Sequence, residues 1–220
     1  MKIAAEREDL EDLSGFQNVA VNDASELYIS IGQGNRKIGL IPSWSLPQVE
    51  TCNPRCLPHC GKECYSNRIK ELYPSTWETW SHNLWMMRNH PTLAELLIRR
   101  FLANALPRLM RLHVAGDFYS KQYLEMWCRI AVDHPKTVFY GYSKADFIDH
   151  SALPENLRIM RSQWPGMKPP RQMHVKRNCW CQDGHETRIP KGAYVCGGDC
   201  PKCGFRCAFG SGDVVINLHR

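Results

Sequence analysis

The sequence predicts an α/β domain, a small parallel or mixed sheet with outer helices and cysteine-rich metal-binding loops. Three observations carry this. In the middle of the chain, apolar runs of period two alternate with longer runs of helical period, the pattern of βαβ units. Eleven cysteines occur in 220 residues, and ten of them fall in two short stretches. Polar groups also recur just after successive expected strands, where parallel sheets place their binding groups.

The totals are compatible with this class. Hydrophobic residues make up 43% of the chain, enough for a sizeable core. The net charge of +6 is moderately basic and suits a polyanionic partner without requiring one. The first residues contain no apolar h-region, and no run approaches 18 apolar residues. A cytoplasmic protein with no membrane partner is therefore expected. In a reducing compartment, clustered cysteines bind metal more often than they form disulfides.

Residues 1–26 hold Glu6, Glu8, Asp9, Glu11, Asp12, Asp23 and Glu26 against Lys2 and Arg7, which predicts an acidic, flexible lead-in. A single domain is expected over 27–220. Within it, 28–31 and 37–42 read as short strands around Gly32, Gly34 and Asn35. Residues 66–90 suggest a helical stretch. Thr92 and Glu95 fit a capping box after Pro91, and Leu93, Leu96, Leu97 and Phe101 give the next helix one apolar face until Pro107. Residues 110–115 alternate as a strand leading into Gly116-Asp117-Phe118. Ser120 can cap a helix whose face is Tyr123, Trp127, Ile130 and Ala131. Further strands are expected at 138–142, 157–160 and 214–218.

The first cysteine loop, 52–64, carries Cys52, Cys56, Cys60 and Cys64 at intervals of four. That spacing brings several thiolates within reach of one centre. An iron–sulfur cluster takes four thiolates, or three with one iron left open; zinc takes the same ligands in a tetrahedron. The second loop, 179–207, carries Cys179, Cys181, Cys196, Cys200, Cys203 and Cys207. Its Cys-x3-Cys-x2-Cys run suits an iron–sulfur cluster, and Cys200-Pro-Lys-Cys203-Gly204 is equally a zinc-knuckle turn. One or two clusters, of the 4Fe-4S type, are expected, with zinc as the alternative. Cys128 sits on a helix and reads as a core residue.

Asp117, after the strand at 110–115, can accept a hydrogen bond from a substrate, or it can make an Asx turn. Lys144, after Tyr142-Ser143, can pair with a carboxylate or phosphate. Asp117 and Lys144 are the catalytic candidates; Gly116, Asp117, Ser143 and Ser162 are the cofactor-binding ones. A basic segment follows, with Arg158, Arg161, Lys168, Arg171, Lys176 and Arg177 around Trp164, and suits a nucleotide or nucleic acid.

Several of these stretches resemble the phage gene product 88 family. They are Lys37-x-Gly39-Leu40-Ile41-Pro42-Ser43-Trp44-Ser45-Leu46-Pro47, Thr51-Cys52, Cys60-x3-Cys64-Tyr65 and 111–118. Residues 140–144, 162–166 and a closing cysteine group complete the set. More distantly, the chain looks like radical S-adenosylmethionine enzymes. There a three-cysteine loop after the first strand holds a 4Fe-4S cluster that binds S-adenosylmethionine, and a Gly-rich turn after the second strand binds its amino group. That resemblance implies a partial TIM-barrel-like sheet, with Cys56, Cys60 and Cys64 on the loop and Gly116-Asp117 as the turn. This loop departs from the usual Cys-x3-Cys-x2-Cys, and the turn lacks its second glycine and its glutamate.

The leading expectation is an iron–sulfur protein of phage or mobile-element type that modifies a nucleotide or nucleic acid by radical chemistry. The alternatives are a zinc- or cluster-stapled protein that binds nucleic acid or a host protein without turnover, and an iron–sulfur redox sensor.

Overall fold

The computed structural model describes residues 1–6, 8, 9, 26–168 and 174–218, without the Tyr65 side chain. Most of the acidic lead-in and Arg171 lie outside the described residues. Its first residues are a strand: β1 (Lys2–Ala4) pairs antiparallel with β2 (Tyr28–Ser30).

The main sheet has seven strands, all parallel. They are β3 (Ser43–Trp44), β4 (Leu109–Leu112), β5 (Val138–Ser143), β6 (Leu157–Gln163), β7 (Asn178–Gln182), β8 (Tyr194–Val195) and β9 (Val214–Asn217), in the order β3-β4-β5-β6-β7-β9-β8. From β3 to β7 the strands follow one another in chain order, so the loops that leave them all gather along one edge.

The helices described over their full length are α1 (Leu57–Cys60), α2 (Ile69–Leu72), α3 (Pro74–Asn89), α4 (Pro91–Ala105), α5 (Lys121–Asp133) and α6 (Arg206–Phe209). Strand alternation sends Phe139, Leu157 and Ile159 to one face of the sheet, into a core with Trp44, Leu97, Phe101, Trp127 and Ile130 from the helices and β3. Tyr140, Met160, Cys179 and Val214 point to the other face, where Cys207 and Ala208 of α6 pack on them. Cys128 packs against the first core, and Tyr123 is buried within it. Asn83 ties β2 to the main sheet: it accepts from Ser30 N at 2.8 Å and donates to Ser30 O at 2.9 Å and Ser45 O at 3.3 Å. Asn83→Ala strands these buried backbone groups, so a loss of about 3 kcal/mol in urea unfolding is expected.

Local chemistry overrides several sequence expectations. The stretch 37–42 opens in a turn and runs on without forming a strand, because Asn35 Oδ1 accepts from Lys37 N at 2.8 Å and Ile38 N at 3.1 Å and takes the amides a ladder would use. The capping box is not formed; α4 starts on Pro91 at its first position with His90 as the cap, and Thr92 lies inside the first turn. β4 stops at Leu112 rather than Ala115, because His113 turns to φ 55°. Cys179 and Cys181 stand on strand β7, where a loop was expected.

Candidate functional site

The first cysteine loop leaves β3 and is fixed to the carboxyl edge of the sheet by short-range polar contacts. Thr51 Oγ1 donates to Pro47 O at 2.7 Å and receives Asp117 N at 3.2 Å. Asn53 caps the turn at 54–56 and donates to Lys144 O at 3.0 Å and Asp146 Oδ2 at 2.8 Å. Cys56 is buried with its Sγ 3.7 Å from Lys144 O. Cys60 lies on α1, and its Sγ donates to Cys56 O at 3.3 Å. Cys64 Sγ is 3.0 Å from Ser66 Oγ.

Asp117 follows the Gly116 turn, which tolerates no side chain. At φ +80° a Cβ would stand 2.7 Å from both Leu46 O and Thr51 Oγ1. The Asp117 carboxylate is spent within the protein. Its Oδ1 accepts from Phe118 N at 2.7 Å and Ser143 Oγ at 2.5 Å, and its Oδ2 from Lys144 N at 2.7 Å. Burial raises its pKa, with these donors opposing. The carboxylate takes the next amide in the chain, and its wider effect is to fix the end of β5.

Lys144 is half-buried, with its Nζ 5.5 Å from the centre of the Trp164 ring. Burial works against its charge, but Cys60, Cys181, Asp117 and Cys52 outweigh that and hold its pKa above the ordinary lysine value. Burial and then the Asp117 charge push Cys52 up to about 12, and burial pushes Cys56 up to about 11 against Arg161 and Lys144. Cys181 is raised by burial and lowered by Lys144 and by a hydrogen bond from Ser162. Cys52, Cys60 and Cys181, from two distant parts of the sequence, thus act electrostatically on one cation, as Cys56 and Cys179 also do. Among the described residues, no three His, Cys, Asp or Glu side chains are gathered tightly enough to hold a single ion as they stand.

Beneath this edge, His113 Nε2 pairs with Tyr123 Oη at 2.9 Å, and Trp44 Nε1 donates to the same oxygen at 2.8 Å. Burial, with Arg111 beside it, lowers the His113 pKa to about 3. The unfolded chain takes a proton near 6.5 and the folded one does not, so stability is full above pH 6.5 and falls as pH drops toward 3. The expected slope approaches about 1.4 kcal/mol per pH unit. Urea midpoints from pH 7 to 4 should show it, and His113→Phe should lose this component.

The remaining late cysteines, Cys179, Cys196, Cys200, Cys203 and Cys207, lie further down the same face, around Arg111 and Tyr142. Arg111 stands 4.3 Å over the Tyr142 ring, and Tyr142 Oη donates to Cys207 Sγ at 2.8 Å.

Part of the described basic segment turns away from the candidate site, whereas Arg161 bears on Cys56. Arg158, at the start of β6, and Lys176 and Arg177, just before β7, lie at the amino edge of the parallel sheet, opposite the cysteine loop. Arg177 donates to Arg206 O, Cys207 O and Gly212 O. Arg161 is buried and pairs with Asp146 at 2.8 Å. Lys168 is exposed after β6. Among the described residues no helix is long and apolar enough to cross a membrane.

The family model for gene product 88 matches residues 26–188. The chain belongs to the gene product 88 family. It is 27% identical over 146 residues to the Gene 88 protein of Mycobacterium phage L5, covering 60% of this chain and 61% of that one. It is 26% identical over 122 residues to the Gene 88 protein of Mycobacterium phage D29, covering 50% of each. The chain thus spans between half and about three fifths of these relatives' lengths. No solved structure matches.

The matched gene product 88 stretch contains Cys52 to Cys64, Asp117, Lys144 and Cys181, and it ends before Cys196. Within it, sequence reading missed Asp146 and Asn53, which lash the cysteine loop to β5. It also grouped Cys181 with the late cysteines. The alternation Cys179-Trp180-Cys181 was the signal that could have placed both on a strand.

Proposed function

We propose that this gene product 88 family protein holds an iron–sulfur cluster on the 52–64 loop and uses it to cleave S-adenosylmethionine reductively. The carrying observation is that Cys52, Cys60 and Cys181 all act electrostatically on Lys144, at the carboxyl edge of a sheet whose strands from β3 to β7 run in chain order. That order over five strands, with the cysteine loop leaving the first of them, is in keeping with a partial barrel, whereas the β9-β8 order at the far edge departs from it.

The residues present suit the group. Thiols are the donors that iron–sulfur clusters take, and Asp117, whose charge bears on Cys52 and Cys60, is already bonded to three partners. The Lys144 ammonium offsets the negative charge of thiolate ligands. When bound, such a cluster supplies one electron to the sulfonium carbon–sulfur bond, with an external reductant such as dithionite as the electron source.

The protein's own residues do the rest. Lys144 supplies positive charge and meets an anionic group of the ligand. Asp117 and Ser143 position Lys144, and Ser162 steadies Cys181. Gly116 lets Leu46 and Thr51 approach closely and keeps the loop against the sheet. Trp164, half-buried beside Lys144, offers a ring on which a nucleobase-like substrate can stack.

The test is anaerobic reconstitution with iron and sulfide, then dithionite and S-adenosylmethionine, with 5′-deoxyadenosine as the readout. Formation of 5′-deoxyadenosine is expected; its absence after full cluster loading would refute the catalytic reading.

A further inference from the structure

The late cysteines that do not face Lys144 form a separate group with its own scaffold. Cys179 and Cys181 are two residues apart on β7, so they share a face about 7 Å apart. Cys181 is turned to Lys144, Cys60 and Ser162, whereas Cys179 packs in the cluster that contains Cys207. Cys179 thus stands between the two groups, close enough to feel Cys181 and Lys144 on one side and Cys207 on the other.

The scaffold of the second is laid out by short backbone contacts. β8 pairs with β9 and delivers Cys196, whose amide donates to Val215 O at 2.8 Å. The Gly198 amide points at Cys196 Sγ at 3.4 Å. Cys200 and Cys203 come from one tight turn, in which Cys203 N donates to Asp199 O at 3.1 Å and Phe205 N to Cys200 O at 3.0 Å. That turn requires left-handed backbone at Gly204 (φ 63°) and Phe205 (φ 53°). It is docked on the rest of the protein through Cys200 N to Lys37 O at 2.8 Å. α6 then carries Cys207 to the Tyr142 hydroxyl, 2.8 Å away. An amide and a phenol aimed at sulfur stabilise thiolates, the form that binds metal.

We propose that Cys196, Cys200, Cys203 and Cys207 are the ligands of a second thiolate metal centre, distinct from the one on the 52–64 loop, with Cys179 as its buried wall. Its occupant is a thiophilic centre, either one zinc or iron ion or an iron–sulfur cluster, and each thiol gives up its proton to solvent on binding. All four ligands lie beyond the stretch matched by the family model. This goes beyond the catalytic reading and does not depend on it.

The test counts centres on the full chain. Native mass spectrometry of anaerobically purified protein, with zinc, iron and sulfide assays, should show two separate metal increments, and the assays identify the second occupant. Cys203→Ser with Cys207→Ser should remove one increment and leave the other. Cys56→Ser with Cys60→Ser should do the reverse, and Cys179→Ala should keep both. A single increment in the wild-type chain that persists in Cys203→Ser with Cys207→Ser overturns the proposal. Wild-type metal content in the late double variant, or loss of all metal in both double variants, also overturns it. Absence of 5′-deoxyadenosine with both increments present would sink the catalytic reading alone.

Discussion

Asp146→Ala is expected to lower folding stability by about 3 kcal/mol and to free the first cysteine loop from the sheet. Arg161 is 1% exposed, and its guanidinium is held by Ala145 O at 2.9 Å and Asp146 Oδ1 at 2.8 Å. An arginine cannot shed its proton, so removing the carboxylate leaves a buried, uncompensated charge. Breaking such a pair from one side costs about 3–5 kcal/mol. The Asp146 side chain is 30% exposed, and the partial access of water sets the expected loss at the low end. The other oxygen, Oδ2, receives Asn53 Nδ2, and Asn53 caps the turn that presents Cys56. The same substitution should therefore speed proteolysis within 52–64 in the metal-free protein. Asp146→Asn keeps an acceptor and should cost less; Lys121→Ala, on an exposed helix surface, should shift the urea midpoint by less than about 0.5 kcal/mol. An unchanged midpoint in Asp146→Ala would mean that water takes over the carboxylate's role.

What was legible in the sequence follows the range of the interactions involved. The parallel sheet and the helices α4 and α5 were readable because their apolar faces repeat at the helical period and the strand residues alternate, as with Phe139 and Tyr140. The strand expected at 37–42 failed because one side chain, Asn35, outcompetes the ladder for two amides, and hydrophobicity does not register that competition. The cysteine loop was legible as a metal-type sequence, but its partners were not. Lys144 and Cys181 reach it only through the parallel register of β5, β6 and β7, a property of tertiary pairing. The basic segment misled for a related reason. Seen along the chain, Arg158, Arg161, Lys168, Arg171, Lys176 and Arg177 form one patch. In the fold, Arg161 is buried beside Asp146 and Arg177 closes the α6 turn, so those two charges are spent on structure.

Cys60→Ala is expected to empty the first metal centre and to reduce 5′-deoxyadenosine formation at least ~100-fold, because even partners behind the ligands change metal affinity 10–100-fold. Cys60 is the natural choice within the loop. It is the thiol whose charge bears most on Lys144, and it also enters the electrostatic surroundings of Cys56 and Cys181. It is half-buried on the short helix α1, so its removal opens no large cavity. The metal-free variant should therefore unfold within about 1 kcal/mol of wild type. That near-equality separates loss of a ligand from loss of the fold, since a merely structural cysteine would lower stability and metal content together. Cys128→Ala, which changes a thiol packed against the helical core, should leave metal content and turnover intact. Lys144→Met adds the electrostatic half of the argument: it keeps the length of the side chain and removes the cation that Cys52, Cys60 and Cys181 share. The expected result is a cluster that still assembles but takes up an electron less readily, read as a more negative reduction potential. A Cys60→Ala protein with a full complement of iron would move the ligand set to Cys52, Cys56, Cys64 and Cys181, and an unshifted potential in Lys144→Met would place the lysine's charge outside the cluster's field.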